Sequence, residues 1–223
     1  ILLQAFPSNG ETPYLGICTI LIFTSPQFQN ILQLRSVIQQ VALTVAVGEA
    51  ELEFEHRALT SSHVLVKAAE GRVARFRVMK SSVYVDLHGI KATIVDFAAS
   101  RLCAGAGSMP LYTELDELSE EKKRGVGQRL TLIKNIVRPK ASHFHPYTNA
   151  VFLHDLIHEL LEAYEPIFEA TRPSWTEPEC EAWRDLALWS EEISCCSSAM
   201  DFVVARVLRS VRFAELQYHA DED

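Results

Sequence analysis

The spacing of hydrophobic positions changes twice along the chain and divides it into distinct segments. From Gln27 to Ala50, apolar residues recur three and four positions apart, which predicts a helix with a wide buried face. Before this helix, β-type residues lie between Pro13 and Pro26, so we expect one strand there. A strand that leads into a long buried helix is therefore the predicted start.

Beyond the long helix the spacing shortens to the period of β-strands. The segments HVLVK, GRVARFRVM, SSVYVDL and KATIVDFA predict four strands, with a turn at His88-Gly89 before the last. Arg75 and Arg77 alternate with apolar residues, so we expect a half-exposed hairpin in which the arginines face solvent.

The last half of the chain is predicted to be helical after one long connection. Residues 103–127 are rich in glycine, serine and charge, which predicts a surface loop. A strong helix is expected to start near Thr148, and a final helix is expected from Glu179 to about Arg212. The order of elements indicates an α+β fold.

Charge changes this picture by making two regions of opposite sign. The net charge is −8, yet all the charged residues of the segment 122–140 are basic. Its cations are Lys122, Lys123, Arg124, Arg129, Lys134, Arg138 and Lys140. Such a run is either a solvated helix face with its loop or a contact for nucleic acid or an acidic protein.

The two longest apolar runs, 15–23 and 41–47, are shorter than the roughly 20 residues that a membrane-spanning helix needs. We therefore expect no membrane association and a nuclear or cytoplasmic, intracellular location.

A His56-Arg57 pair lies at the turn between the long helix and the first strand of the second segment, and Asp96 follows the last buried strand. Protein kinases place the loop H-R-D-x-x-x-x-N at such a turn; its Asp orients the substrate hydroxyl and its Asn binds magnesium. Here these two positions hold Ala58 and His63. The pattern indicates a kinase-like loop without its two reactive side chains.

Three segments, VAVGEAELEFEHR (45–57), IVDFAASRL (94–102) and HPYTNAVFLHDL (145–156), resemble the corresponding stretches of haspin-type kinases. Those kinases phosphorylate a threonine near the start of a histone tail. They have an unusual sequence after the metal-binding Asp, lack the A-P-E element and carry H-P-Y-[ST]-N before a late helix, and this chain shares all three features. The resemblance covers residues 27 to 209.

The resemblance implies the large, C-terminal lobe of a protein kinase, mostly helical with a few β-strands around the catalytic-loop region. The small lobe is expected to be absent or reduced in this chain, because neither a G-x-G-x-x-G-x-V loop nor a V-A-I-K strand is found. Residues 1–26 would be a strand or hinge remnant of that lobe, 27–212 the large lobe and 213–223 an acidic tail.

Carried over by position, the resemblance makes Glu55, His56 and Arg57 the retained start of a degenerate catalytic loop. Asp96 keeps the metal-binding position as a remnant, and Gln128 falls where the family has an Asp that braces the loop arginine. Alanine cannot orient a hydroxyl, and magnesium prefers oxygen ligands to imidazole. We expect phosphoryl transfer to fall by at least about a thousandfold.

The resulting hypothesis is a catalytically inactive pseudokinase that binds a protein and needs no cofactor or metal. Its partner would be a histone tail or another chromatin protein, held by the acidic residues Glu114, Asp116, Glu117 and Glu120. The alternative is a weakly active serine/threonine kinase that uses ATP and magnesium and recruits another carboxylate, such as Glu55.

Four histidines form a separate candidate site, because His143, His145, His154 and His158 lie within 16 residues. The last two are four apart on a predicted helix, which puts both imidazoles on one side. Zinc binding is one interpretation and partly buried, hydrogen-bonded histidines are the other. The metalloprotease signature H-E-x-x-H is absent from the sequence.

Overall fold

The fold is built around a long helix, α1 (Ile31–Leu52), in a computed structural model that describes residues 28–105, 108–115, 129–137 and 140–211. Asn30 caps the start of α1, since its side chain accepts a hydrogen bond from the Gln33 N–H. The helix ends at Glu53, which adopts a left-handed conformation (φ 43°) and donates its N–H to the Gly48 carbonyl. The predicted helix is confirmed, although it starts four residues later than expected.

Gly48 is needed where α1 ends because the chain folds back tightly over it. A Cβ atom at this position would lie 3.1 Å from Cδ1 of Phe54, which is closer than most carbon contacts. The Phe54 N–H also donates to the Gly48 carbonyl. Because of this turn, the residues that follow the helix lie in the interior, namely Glu55, His56 and Arg57.

In the described part of the chain, six strands follow and form three separate antiparallel pairs. The strands are β1 (Val64–Ala68), β2 (Val73–Val78), β3 (Ser81–Asp86), β4 (Ile90–Ile94), β5 (Arg101–Leu102) and β6 (Leu111–Tyr112). Strand β1 pairs with β4, β2 with β3, and β5 with β6. The predicted hairpin is confirmed, with Arg75 and Arg77 exposed and Phe76 buried between them.

The helices after the strands are α2 (Arg129–Val137), α3 (Tyr147–Thr171), α4 (Glu177–Glu192) and α5 (Ala199–Phe202). A π-helical turn, Val203–Val207, continues α5. Two sequence predictions need correction here. The predicted loop contains the short strand β6, and the predicted single final helix is broken.

The break in the final helix has one local and one distant cause. After α4 the chain makes a 3₁₀ turn, Ile193–Cys195, and a new helix begins at the Ser198 cap, whose hydroxyl accepts from the Asp201 N–H. The Glu49 carboxylate of α1 also accepts from the N–H groups of Ala199 and Met200. A serine cap and a buried carboxylate therefore start a second helix where apolar spacing alone predicts continuity.

Most of the described core surrounds α1, which packs against β2, β3, β4, α3, α4 and α5. By length and composition α1 is also apolar enough to span a bilayer, but 78% of that apolar window is buried inside the fold. The sequence prediction counted only the short uninterrupted apolar runs and missed this property. The observed mixture of helices and small sheets agrees with the predicted α+β class.

The predicted strand in residues 13–26, the remnant assigned to residues 1–26 and the acidic tail 213–223 lie outside the described residues.

Candidate functional site

The kinase-like loop begins inside the protein, because the residues after α1 pair with β5. The backbone of Glu55 forms an isolated antiparallel bridge with Arg101, through hydrogen bonds of 2.8 and 2.9 Å. The Arg101 guanidinium in turn donates to the Glu53 carbonyl and carboxylate at 2.7 and 2.9 Å. The start of the loop is thereby fixed to the strand that follows Asp96.

A buried ion pair forms the centre of this framework. Arg57 donates from Nε and Nη2 to the two carboxylate oxygens of Glu55, each at 3.0 Å, and both side chains are fully buried. The Glu55 carboxylate also accepts from the His145 N–H at 2.8 Å and the Thr148 hydroxyl at 3.0 Å. These bonds satisfy the carboxylate, as a buried charge requires.

Glu55 is therefore not available as the recruited catalytic carboxylate that the sequence suggested as an alternative. Its two oxygens are occupied by Arg57, His145 and Thr148, and none of its surface reaches solvent. A general base must lie within reach of the proton that it removes. The correction comes from burial, which the spacing of Glu55 in the sequence does not reveal.

Arg57 itself adopts a left-handed backbone conformation, with φ of 61°. Its Nη2 atom also donates to the Ala141 carbonyl at 2.8 Å, which ties the loop to the segment before α3. Among the described residues its Nη1 atom has no hydrogen-bond partner. Gln128, which the resemblance places near this arginine, lies outside the described part of the chain.

His56 is fully buried and is held on three sides. Its Nε2 atom lies 3.1 Å from the Val95 carbonyl and donates to it, its N–H donates to the Asn149 side chain, and its carbonyl accepts from Ser100. Burial lowers the pKa of His56 to about 4, because the charged form would lose its hydration. The residue is therefore a neutral structural member at physiological pH.

Asn149 joins the loop to two helices and was not singled out from the sequence. Its Nδ2 atom donates to the Phe54 carbonyl and to the Glu49 carboxylate at 2.8 and 2.9 Å, while its Oδ1 atom accepts from the His56 N–H. Burial raises the pKa of Glu49, although its hydrogen bonds oppose the shift. The H-P-Y-[ST]-N match includes Asn149, so the sequence contained a signal for this residue, but the match does not reveal which groups Asn149 contacts.

The reactive side of the loop has a different character. Ala58 is buried, with 6% exposure, and contributes no polar side-chain atom. His63 Nδ1 lies 2.6 Å from the Ala58 carbonyl, so this nitrogen carries the proton and donates. The imidazole therefore folds back onto the loop at the position of the missing magnesium ligand.

The same imidazole faces Asp96. His63 Nε2 lies 3.6 Å from Asp96 Oδ2, and both side chains are partly exposed. A proton on Nε2 makes this contact attractive, whereas a neutral ring presents a lone pair to the carboxylate. Asp96 also has a left-handed backbone, with φ of 60°. The structure thus brings the two predicted positions together as a histidine–carboxylate contact.

The tip of the loop is tied to α3. The Ser61 hydroxyl and N–H both donate to the Glu159 carboxylate, and Thr60 Oγ1 lies 2.8 Å from Ser62 Oγ. The hydroxyls of Thr60 and Ser62 therefore share a hydrogen bond, and Ser61 bonds to a carboxylate of α3. These bonds fix the tip of the loop to α3.

The donor set does not fit magnesium. That ion requires near-octahedral oxygen ligands, and the Asn position supplies an imidazole nitrogen beside a single carboxylate. The described residues contain no group of three His, Cys, Asp or Glu side chains placed to hold a metal ion. The candidate zinc site therefore lacks a set of three ligands among these residues. His154 and His158 do lie side by side, with ring centroids 4.5 Å apart, and His154 contacts Asp155.

Most of the predicted charged partner surfaces cannot be placed. Of the basic run, only Lys134 and Lys140 have described side chains, and of the acidic stretch only Glu114, which is exposed. The other members lie outside the described residues, so both surfaces stay predictions.

The family comparison agrees with the motifs. The haspin-like kinase domain model matches residues 23–176, which is more than half of the chain. The protein named serine/threonine-protein kinase haspin from Mus musculus is 28% identical over 131 residues, or 57% of this chain and 17% of the relative's length.

A second relative, the haspin homolog of Drosophila melanogaster, is 26% identical over 141 residues, covering 61% of this chain and 24% of the relative. The chain thus spans about a fifth of the length of these relatives. These matches confirm the resemblance predicted from the sequence.

Proposed function

Since the chain belongs to the haspin-like kinase domain family, we propose that it is a catalytically inactive member that acts as a protein-interaction module. In this proposal residues 27–212 correspond to the large lobe, and phosphoryl transfer has been lost. The relatives are named serine/threonine-protein kinases, and in this proposal that activity does not extend to this chain because Ala58 and His63 depart from the family pattern.

The observation that carries this proposal is the replacement of the loop carboxylate by Ala58. Phosphoryl transfer depends on positioning and charge neutralisation, so losing the group that orients the acceptor hydroxyl affects the reaction directly. The nearest retained acid on the loop, Glu55, is fully buried against Arg57. Together with the imidazole at the second metal position, this supports a loss of at least about a thousandfold.

A phosphotransfer assay tests the proposal. The purified chain is incubated with ATP, magnesium and a threonine-containing histone-tail peptide, beside an Asp96→Asn variant as the background. We expect equal incorporation by the two proteins. Incorporation that exceeds the Asp96→Asn background by tenfold or more would refute the loss of catalysis.

A second candidate function is a weakly active serine/threonine kinase, and one observation favours it. Arg57 and Asp96 both keep left-handed backbone conformations, with φ of 61° and 60°, that cost roughly 1 kcal/mol each for residues other than glycine. Retained strain at a former metal position is typical of a working site. A thermal shift with magnesium and ATP that Asp96→Asn abolishes would support this candidate, and no shift supports the inactive module.

The partner of the inactive module is proposed to be a basic histone tail. The net charge of −8 and the exposed Glu114 support attraction to a basic peptide, whose binding should weaken with salt. Binding of a labelled tail peptide is measured at low and moderate ionic strength, with a scrambled peptide of equal charge as control. Equal binding of both peptides, or none, would remove the histone assignment.

A further inference from the structure

The contact between His63 and Asp96 is too long for a hydrogen bond. His63 Nε2 lies 3.6 Å from Asp96 Oδ2, whereas an N–H···O hydrogen bond joins atoms about 2.7–3.2 Å apart. Two ligands of a tetrahedral zinc ion, with bonds of about 2.0–2.2 Å, lie about 3.4 Å from each other. Neighbouring ligands of an octahedral magnesium ion lie only about 2.9 Å from each other. The observed separation is therefore closest to that of two ligands around a tetrahedral metal ion.

The tautomer of His63 makes Nε2 the ring atom that can bind a cation. Its Nδ1 atom carries the proton and donates to the Ala58 carbonyl at 2.6 Å, so Nε2 has a lone pair in the neutral ring. Metal-bound histidines commonly donate their other ring N–H to a backbone carbonyl, which fixes the tautomer and the orientation of the ring. A lone pair beside a carboxylate is repulsive unless a cation lies between the two atoms. His63 thus has the orientation of a metal ligand.

The Asp96 carboxylate is held in a comparable way. Its Oδ1 atom accepts from the Ala98 N–H at 3.3 Å, while Oδ2 faces His63. Carboxylates that bind metals are likewise hydrogen-bonded to their surroundings. The side chains of His63 and Asp96 are 18% and 27% exposed. An ion can therefore enter from solvent, and water can fill the coordination positions that the protein does not supply.

The neighbouring imidazole does not oppose a cation at this contact. His56 stacks on the His63 ring, with centroids 5.8 Å apart. Burial lowers the pKa of His56 to about 4, so this ring is neutral at physiological pH. The Asp96 carboxylate then gives the contact a negative charge, which attracts a cation.

We propose that His63 Nε2 and Asp96 Oδ2 bind zinc, in place of the magnesium for which the kinase pattern provides. Imidazole nitrogen is a good ligand for zinc, whereas magnesium prefers oxygen ligands alone. Water completes the tetrahedron, so the ion is held less tightly than at a site with three or four protein ligands. The ion links the loop to the residue that follows β4. The proposed inactive module does not require it for chemistry.

Metal titration without nucleotide tests the proposal. The purified, untagged 223-residue chain is titrated in a calorimeter with zinc chloride and, separately, with magnesium chloride. We expect zinc to bind at least about tenfold more tightly than magnesium. Equal binding of the two metals, or no binding of zinc, overturns the proposal. Because ATP and peptide are both left out, the result does not depend on whether phosphoryl transfer is lost.

Substitutions locate the ion. His63→Asn and Asp96→Asn each remove one ligand, and each is expected to weaken zinc binding by about tenfold or more. His63→Asn also introduces an amide oxygen, so the ratio of zinc affinity to magnesium affinity should fall. The melting temperature of each variant checks that it is folded. Folded variants that bind zinc as tightly as the unmodified chain would contradict the assignment.

His158→Gln is the matched control, because His158 is an exposed histidine of α3 whose ring lies beside that of His154. Two histidines four positions apart on a helix could also bind zinc. This variant should leave the zinc affinity unchanged. If His158→Gln weakens zinc binding as much as His63→Asn does, the ion binds the histidine pair of α3 and the assignment to the loop is wrong.

Discussion

The two sides of the kinase-like loop differ in burial and in chemistry. On the inner side, Glu55, His56 and Arg57 are fully buried, and each makes several hydrogen bonds. On the outer side, Ala58 offers only a methyl group, and His63 is partly exposed against Asp96. The inner side keeps the residues of the family pattern, and the outer side has lost two of them.

This difference shows that packing constrains one part of the loop and catalysis constrains another. Removing one member of a buried charge network leaves another charge unpaired, which costs several kcal/mol. Replacing a partly exposed side chain, such as that of His63, costs little stability. In the proposed inactive module, the outer residues are free to change while the inner ones stay.

The largest expected effect is on the inner side. Arg57→Met removes the guanidinium but keeps the volume, so the buried Glu55 carboxylate loses its nearest charge partner and keeps only the Arg101 guanidinium, 3.9 Å away. We expect the free energy of unfolding to fall by about 3–5 kcal/mol in urea denaturation. Arg77→Met, at an exposed arginine of β2, is the control and should change it by less than about 0.5 kcal/mol. Similar losses for both variants would contradict the comparison.

The next effect is a pH dependence from His56, whose pKa falls from 6.5 to about 4 in the folded chain. Below pH 6.5 the unfolded chain binds a proton that the folded chain does not bind until about pH 4. Stability from this residue is thus complete above pH 6.5 and is lost as the pH falls toward 4, by about 3 kcal/mol in total.

The measurement compares urea denaturation of the unmodified chain and His56→Gln between pH 7.5 and about 4. The difference between the two proteins should shrink as the pH falls. The other titrating groups contribute equally to both proteins, so their effect on stability cancels in the difference. Glu49 is one of them, and its raised pKa makes its contribution to stability larger at low pH. A difference that is constant with pH would show that His56 is not held neutral.

A smaller effect is expected where the inner side meets the helices. Asn149→Ala removes the partner of the His56 N–H, the Phe54 carbonyl and the Glu49 carboxylate. Because these buried groups stay in place, we expect a loss of about 2 kcal/mol in the free energy of unfolding. Asn135→Ala, at an exposed asparagine of α2, serves as the matched control and should be nearly neutral.

The smallest effect is predicted for the outer side. His63→Asn removes the imidazole that contacts Asp96 across 3.6 Å. Since both side chains are partly exposed, the change in unfolding free energy should be below about 1 kcal/mol. A double-mutant cycle with Asp96→Asn at pH 6 measures the coupling, and a value above about 2 kcal/mol would place this pair with the buried framework instead.

The sequence predicted those parts of the fold that periodicity encodes. Helix α1, the β2–β3 hairpin and the loop between α1 and β1 follow directly from the spacing of apolar residues and from the His-Arg pair. The break before α5 could not be predicted in this way, because it depends on Glu49, which lies 150 residues earlier in the sequence. The burial of Glu55 depends likewise on the distant segment around His145.

Helix α1 has a consequence for how the protein is made. All the described elements that pack on this apolar helix follow it in the chain. The ribosome therefore releases α1 long before the strands and helices that cover it exist, and an uncovered apolar segment invites aggregation. The apolar face of α1 is therefore covered completely only after α5 has emerged.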